Sequence, residues 1–131
     1  MNDFNLKPGI LGQARTMVTG KNTAKEYGSG SIDVFGTPAM VALMEEEAIN
    51  AVDKLLPTGY ATVGTRLDIS HIAVTPMGMN VTASAKLTSI DGRKLAFEVE
   101  AFDEKGKIGS DTHNRYIIEL VAFLERARQK E

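Results

Sequence analysis

Residues 34–59, VFGTPAMVALMEEEAINAVDKLLPTG, decide the fold, because they read as one long helix with extended segments before and after it. Thr37-Pro38 opens the helix. Threonine is a favoured N-cap, and proline is tolerated at the first helical position, where its missing N–H has no helical partner. Pro57-Thr58-Gly59 stops it after Leu56. At about 100° per residue, Met40, Val41, Met44, Ala48, Ala51, Val52 and Leu55 make one apolar stripe. Glu46, Glu47, Asn50, Asp53 and Lys54 share the opposite arc and are expected in water. Glu45 is the misfit, because it falls among the apolar residues. A carboxylate there must be neutral, paired or lining a wet cavity, since burial without a partner is costly. The ordinary alternative is a glutamate at the rim whose head reaches water.

Outward from the helix, residues 11–19 (LGQARTMVT) read as a first strand and residues 20–33 (GKNTAKEYGSGSID) as a long loop. Beyond it, extended segments at 60–74, 79–90, 93–102 and 107–121 are separated by Thr75-Pro76-Met77-Gly78, Asp91-Gly92 and Asp103-Glu104-Lys105-Gly106. The last two are hairpin signals. FLERARQK, residues 123–130, makes a short terminal helix. One helix and a meander of antiparallel strands is an α+β arrangement, expected as a single domain over 1–131, its sheet burying one face on the helix.

With 43% hydrophobic and 24% charged residues, the 131-residue chain has the composition of an ordinary globular protein. A net charge of −2 gives no basic stripe, so no nucleic-acid partner is expected. The chain has no cysteine, which excludes disulfides, thiolate nucleophiles and thiolate zinc sites and fits a reducing cytoplasm. The N-terminal MNDFNLKPGILGQ is no signal peptide, and no uncharged apolar run is long enough for a membrane span.

In the segment 60–74, alternation puts Val63, Thr65, Leu67, Ile69, His71 and Ala73 on one face and Thr62, Arg66, Asp68 and Ser70 on the other. His71 is therefore a second misfit, expected at the same helix–sheet interface as Glu45. A core histidine with a satisfied ring is the ordinary reading. Together, a carboxylate and an imidazole can hold a tautomer, activate water or attack, and move protons near neutral pH. Thr37 adds a hydroxyl two helical turns before Glu45, about 12 Å along the axis, so only a substrate or water could bridge them. Judged alone, Thr37 is an N-cap. No metal site is expected, because no HExxH-like spacing occurs.

The words VFGTPAMVALMEEEA, TVGTRLDISHIAVTPMG and IDGRKLAFEVEAFDEKGKIGSDTHNR resemble the hot-dog-fold acyl-CoA thioesterases, in the fluoroacetyl-CoA thioesterase group, from Val34 to the C-terminus. The resemblance implies a curved antiparallel sheet wrapped around one long central helix. It also implies a homodimer, or a tetramer of two such dimers, with the active site at the dimer interface. It assigns thioester hydrolysis to Thr37, Glu45 and His71, and a backbone N–H near the thioester carbonyl to Gly64. The fluoroacetate-specific members carry phenylalanines in a lid before the helix. Here Glu26-Tyr27-Gly28-Ser29-Gly30-Ser31 offers only Tyr27, so fluoroacetyl selectivity is not carried over.

The expected activity is thus hydrolysis of a small or medium acyl-CoA to free acid and CoA, without a cofactor beyond the CoA of the substrate. Asp111, His113 and Arg115 share a face of the last strand. They are read as solvated or, if functional, as a contact to the CoA phosphates, with Arg115 the substrate-binding cation. A non-catalytic acyl-CoA-binding module on the same fold is the alternative. A hot-dog dehydratase fits less well, because the helix lacks the histidine such enzymes place there.

Overall fold

The computed structural model describes residues 4–131, so Met1–Asp3, part of the N-terminus read above as lacking a leader, lie outside the described residues. In chain order the elements are β1 (Leu11–Met17), α1 (Thr37–Val52, continued by a 3₁₀ turn over Asp53–Leu55), β2 (Tyr60–His71), β3 (Asn80–Asp91), β4 (Lys94–Asp103), β5 (Gly106–Glu119) and α2 (Leu120–Arg128). One antiparallel sheet runs β1-β3-β4-β5-β2. The expected meander holds for β3-β4-β5. The strand after the helix departs from it: β2 pairs with β5, so residues 72–79 carry the chain across the sheet to β3. Local turn signals say nothing about such a non-local partner.

The sheet's inner face alternates with period two: Val81, Ala83, Ala85 and Leu87 on β3, and Leu95, Phe97, Val99 and Ala101 on β4, are all buried. Against them α1 lays Met40, Met44, Ala48, Ala51 and Val52, each at most 2% exposed. Alanines on both sides let the helix sit close to the strands, and each large apolar side chain buried there contributes about 1.5–3 kcal/mol. Gly12 takes this closeness to its limit. A Cβ there would overlap the carbonyl oxygen of Glu47, so β1 lies against the bare backbone of α1.

Glu47 corrects the reading of the helix. It was expected in water with Glu46, yet it is 1% exposed, and its carboxyl oxygens have the Asn50 amide at 3.3 Å. The cause is the wrap of the sheet: β1 covers that flank of α1 and widens the buried arc beyond the apolar stripe. Glu46 is exposed, as expected.

Strand β2 carries the second correction. The ladder pairs Thr62 with Ile117 and Gly64 with Arg115, then slips, so that Arg66 pairs with Asn114 and Leu67 with His113. Thr65 is the extra residue of this β-bulge, which switches the inward set. Thr62 and Gly64 precede it on the helix side; Leu67, Ile69 and His71 follow, and Val63 and Thr65 leave that set. On β5 the same face holds His113, Arg115 and Ile117, which are 0%, 4% and 0% exposed. Of the face expected to be solvated, His113 and Arg115 are thus part of the interior, while Asp111 is exposed.

Candidate functional site

α1 runs antiparallel to β2, so three points of the helix meet three points of the strand: Thr37 reaches His71, Glu45 lies over Gly64, and Asp53 reaches Thr62. The first two are sites expected from the sequence. Sequence reasoning missed the third.

The N-cap of α1 is Gly36, and no side chain caps the helix, which corrects the N-cap role expected of Thr37. The Thr37 hydroxyl is free for another task. Its Oγ1 lies 2.7 Å from Nδ1 of His71. The other ring nitrogen, Nε2, is buried without a hydrogen-bond partner. Burial pushes His71 below the usual histidine range, with a backbone contact to Ala73 pulling the other way. The ring is therefore neutral at pH 7 and has an unused nitrogen. It borders a cleft of about 320 Å³ whose walls include Val34, Phe35, Ile72 and Val74.

Glu45 turns inward, as the wheel required. The ring beside it is His113 instead of His71, which corrects the expected pairing. Its side chain is 35% exposed, with Oε2 3.6 Å from the Arg115 guanidinium and 4.0 Å from His113 Nε2. These two contacts differ in kind. His113 Nδ1 lies 2.8 Å from the Arg66 carbonyl, which can only accept, so Nδ1 carries the proton. Nε2 then has a lone pair and accepts from Arg115 at 3.1 Å. Burial, opposed by that carbonyl bond, lowers the His113 pKa and keeps the ring neutral. The charge facing Glu45 is therefore Arg115. Its buried guanidinium, 4% exposed, also donates to the Thr62 hydroxyl and carbonyl, both at 2.8 Å.

Gly64 makes room for this arrangement. A Cβ on it would lie 2.9 Å from Glu45 Oε2 and 3.2 Å from His113 Cε1. Its amide is also placed. Thr62 gives its N–H to Asp53 Oδ2 instead of β5, so 62–117 is a pair without ladder bonds, and alternation turns the Gly64 amide likewise toward the free edge of β2. Glu45, Gly64 and Leu67 line a cleft of about 250 Å³ at that edge. The structure thus joins Thr37 to His71 and Glu45 to Gly64 and Arg115, as two clusters along one helix. Thr62 and Asp53 were missed, and His113, read as solvated or as a contact to the CoA phosphates, lies instead beside Glu45. The available signal was Gly64 itself, since a glycine inside a strand marks a bulge or a close approach.

Comparison with known proteins matches this arrangement to one family. The family model described as fluoroacetyl-CoA-specific thioesterase, FlK, matches residues 18–120. The fluoroacetyl-CoA thioesterase of Streptantibioticus cattleyicolor is 42% identical over 98 residues, 75% of this chain and 70% of that protein. A crystal structure of the fluoroacetyl-CoA thioesterase FlK superposes with a TM-score of 0.90 at 34% identity, covering 97% of this chain and 98% of the other. A hot-dog-like protein from Thermanaerovibrio acidaminovorans, 21% identical, shares the fold with a TM-score of 0.90 over 98% of this chain and 96% of its own. The expected α+β hot-dog architecture is thereby borne out, and the chain belongs to the FlK family of fluoroacetyl-CoA-specific thioesterases.

Proposed function

We propose that the chain is an acyl-CoA thioesterase working as a homodimer joined along the free edges of β2. The thioester lies between the Glu45–Gly64 cluster of one protomer and the Thr37–His71 pair of its partner. Two turns of helix separate Thr37 from Glu45 within a protomer, about 12 Å along the axis. Antiparallel pairing of two β2 edges across a two-fold axis turns the His71 end of one strand toward the Gly64 end of the other. The inward carboxylate of Glu45, laid on Gly64 and faced by Arg115, is the observation that carries this reading.

The thioester oxygen accepts the Gly64 N–H, and one such aimed donor supplies about 3 kcal/mol as charge develops. Glu45 either attacks the carbonyl carbon, giving a mixed anhydride that water then opens, or takes a proton from the water that attacks. The C–S bond breaks and the CoA thiolate leaves; the neutral His71, oriented by Thr37, takes up on its free nitrogen a proton that comes from the consumed water and passes it to that thiolate. Either route consumes one water, yields acid and CoA, and needs no cofactor. The apolar cleft beside His71 suits a small or medium acyl group. Between residues 26 and 31 only Tyr27 is aromatic, and it is 51% exposed, so no fluoroacetyl selectivity is assigned. A reducing cytoplasm accords with the absence of cysteine.

Thiol release over short, branched and aryl acyl-CoAs tests the activity. Glu45→Gln is expected to lose about a thousandfold in kcat. Mixing the two inactive variants Glu45→Gln and His71→Ala is expected to restore about a quarter of wild-type activity, because half the dimers then hold one complete site. No restoration would place both clusters' work in one protomer. Binding of acyl-CoA by the wild type with no thiol release would identify a binding module.

A further inference from the structure

Arg115 sits between two carboxylates of the same helix. Glu45 Oε2 is 3.6 Å from its NH1, and on its far side Asp53, at the end of α1, is joined to it by hydrogen bonds through Thr62. The links are short. The Thr62 hydroxyl lies 2.6 Å from Asp53 Oδ1, and the Thr62 N–H donates to Asp53 Oδ2 at 3.1 Å. Arg115 Nε then donates to the same hydroxyl and NH2 to the Thr62 carbonyl, both at 2.8 Å. A threonine hydroxyl has one proton and two lone pairs. A carboxylate only accepts, so Asp53 takes that proton and leaves a lone pair facing Arg115 Nε. Without Asp53 the hydroxyl is free to turn.

We infer that Asp53 is a positioning residue which, by locking the Thr62 hydroxyl, fixes the plane of the Arg115 guanidinium so that NH1 addresses Glu45. The inference rests on the thioesterase reading for its catalytic consequence, but not for the clamp itself. The surroundings leave Arg115 few other ways to be held. His113 offers its single lone pair to NH1, and Phe97 stacks on the far side of that ring at 6.3 Å between centroids. Beyond Glu45, the charged residue that lines the cleft is Arg66 on β2, which pairs with Asp68, and their side chains are 69% and 66% exposed. Neither has the burial or the fixed donors of Arg115. One helix therefore carries both the group that reacts and, two turns on, the group that aims the cation facing it. A shift of α1 along β2 would disturb both ends together.

The test combines kinetics with an activity-independent signal. In the full-length protein, Asp53→Asn and Thr62→Val are each expected to lower kcat roughly tenfold to a hundredfold with KM within about twofold, since misplacement by about 1 Å costs on that order. Thr62→Ser keeps the hydroxyl and is expected to rescue. By NMR, the Arg115 Nε–H is expected to give a sharp, slowly exchanging resonance in the wild type and in Thr62→Ser, and to broaden in the other two variants. Wild-type kcat in folded Asp53→Asn, or an unchanged Nε–H resonance there, would overturn the inference. Should the wild type release no thiol from any acyl-CoA, broadening in Asp53→Asn would still uphold the clamp, and only the thioesterase reading would fall.

Discussion

Gly64→Ala separates the chemistry of the site from the stability of the fold. The added methyl carbon would stand 2.9 Å from Glu45 Oε2, 3.2 Å from His113 Cε1 and 3.4 Å from an Arg115 guanidinium nitrogen. The ring is pinned by its Nδ1–Arg66 and Nε2–Arg115 hydrogen bonds and cannot yield far. Glu45 is the partner that moves, because it is a flexible side chain with a third of its surface in water. Ordinary carbon–oxygen contact needs about 3.4 Å or more, so the carboxylate must retreat by roughly 0.5–1 Å. Folding is expected to lose only about 1–2 kcal/mol, the low end of overpacking costs, because the yielding atom is the end of a side chain. Catalysis is expected to lose more, about a hundredfold in kcat, since the carboxylate leaves its place beside the Gly64 amide. Urea unfolding and thiol release on the same preparation measure the two losses. Wild-type kcat in a folded Gly64→Ala protein would refute the placement of the carboxylate and the oxyanion role of this amide together.

Two further outcomes concern the flank of α1 under β1. Burial holds the Glu47 carboxyl above the usual glutamate range, with Glu46 adding to the rise and Asn50 only partly opposing it. A raised folded-state pKa means a contribution to stability that is full below the unfolded value of 4.5 and is lost as pH rises through the folded one. Glu47→Gln, measured by denaturant unfolding across pH 4–8, is therefore expected to remove that decline and to stabilise the protein at pH 7 by about 1 kcal/mol or more. Equal pH profiles for variant and wild type would contradict it. Gly12→Ala is expected to destabilise by about 3 kcal/mol, because its Cβ meets backbone instead of a yielding side chain. An unchanged unfolding midpoint would show that β1 can lift from the helix at no cost.

Much of this could be read in the sequence, for physical reasons that also explain what could not. The helix and the hairpins are local: Pro57-Thr58-Gly59, Asp91-Gly92 and the 3.6-residue spacing of Met40, Met44, Ala48 and Ala51 act within one or two turns of chain. Glu45 was found because its phase conflicts with its charge, a conflict that needs no knowledge of the partner. Glu47 was misread because a wheel assumes a flat neighbour, whereas this sheet curves round and brings β1 onto a flank that the apolar stripe does not reach.

The bulge shows how one local irregularity propagates to function. Straight alternation counted back from His71 misassigns Thr62, which faces inward, and leaves Arg115 without the hydroxyl and glycine it meets. One unpaired residue, Thr65, brings Thr62 and Gly64 onto the face that also carries Leu67, Ile69 and His71. Straight alternation would place Gly64 and His71, seven residues apart, on opposite faces of the strand. With the extra residue, both address the helix that carries Glu45 and Thr37. The bulge is therefore what lets both clusters share one strand: with Thr65 retained but paired regularly, one cluster would turn outward, whereas deleting Thr65 leaves Gly64 and His71 six residues apart and both still facing the helix.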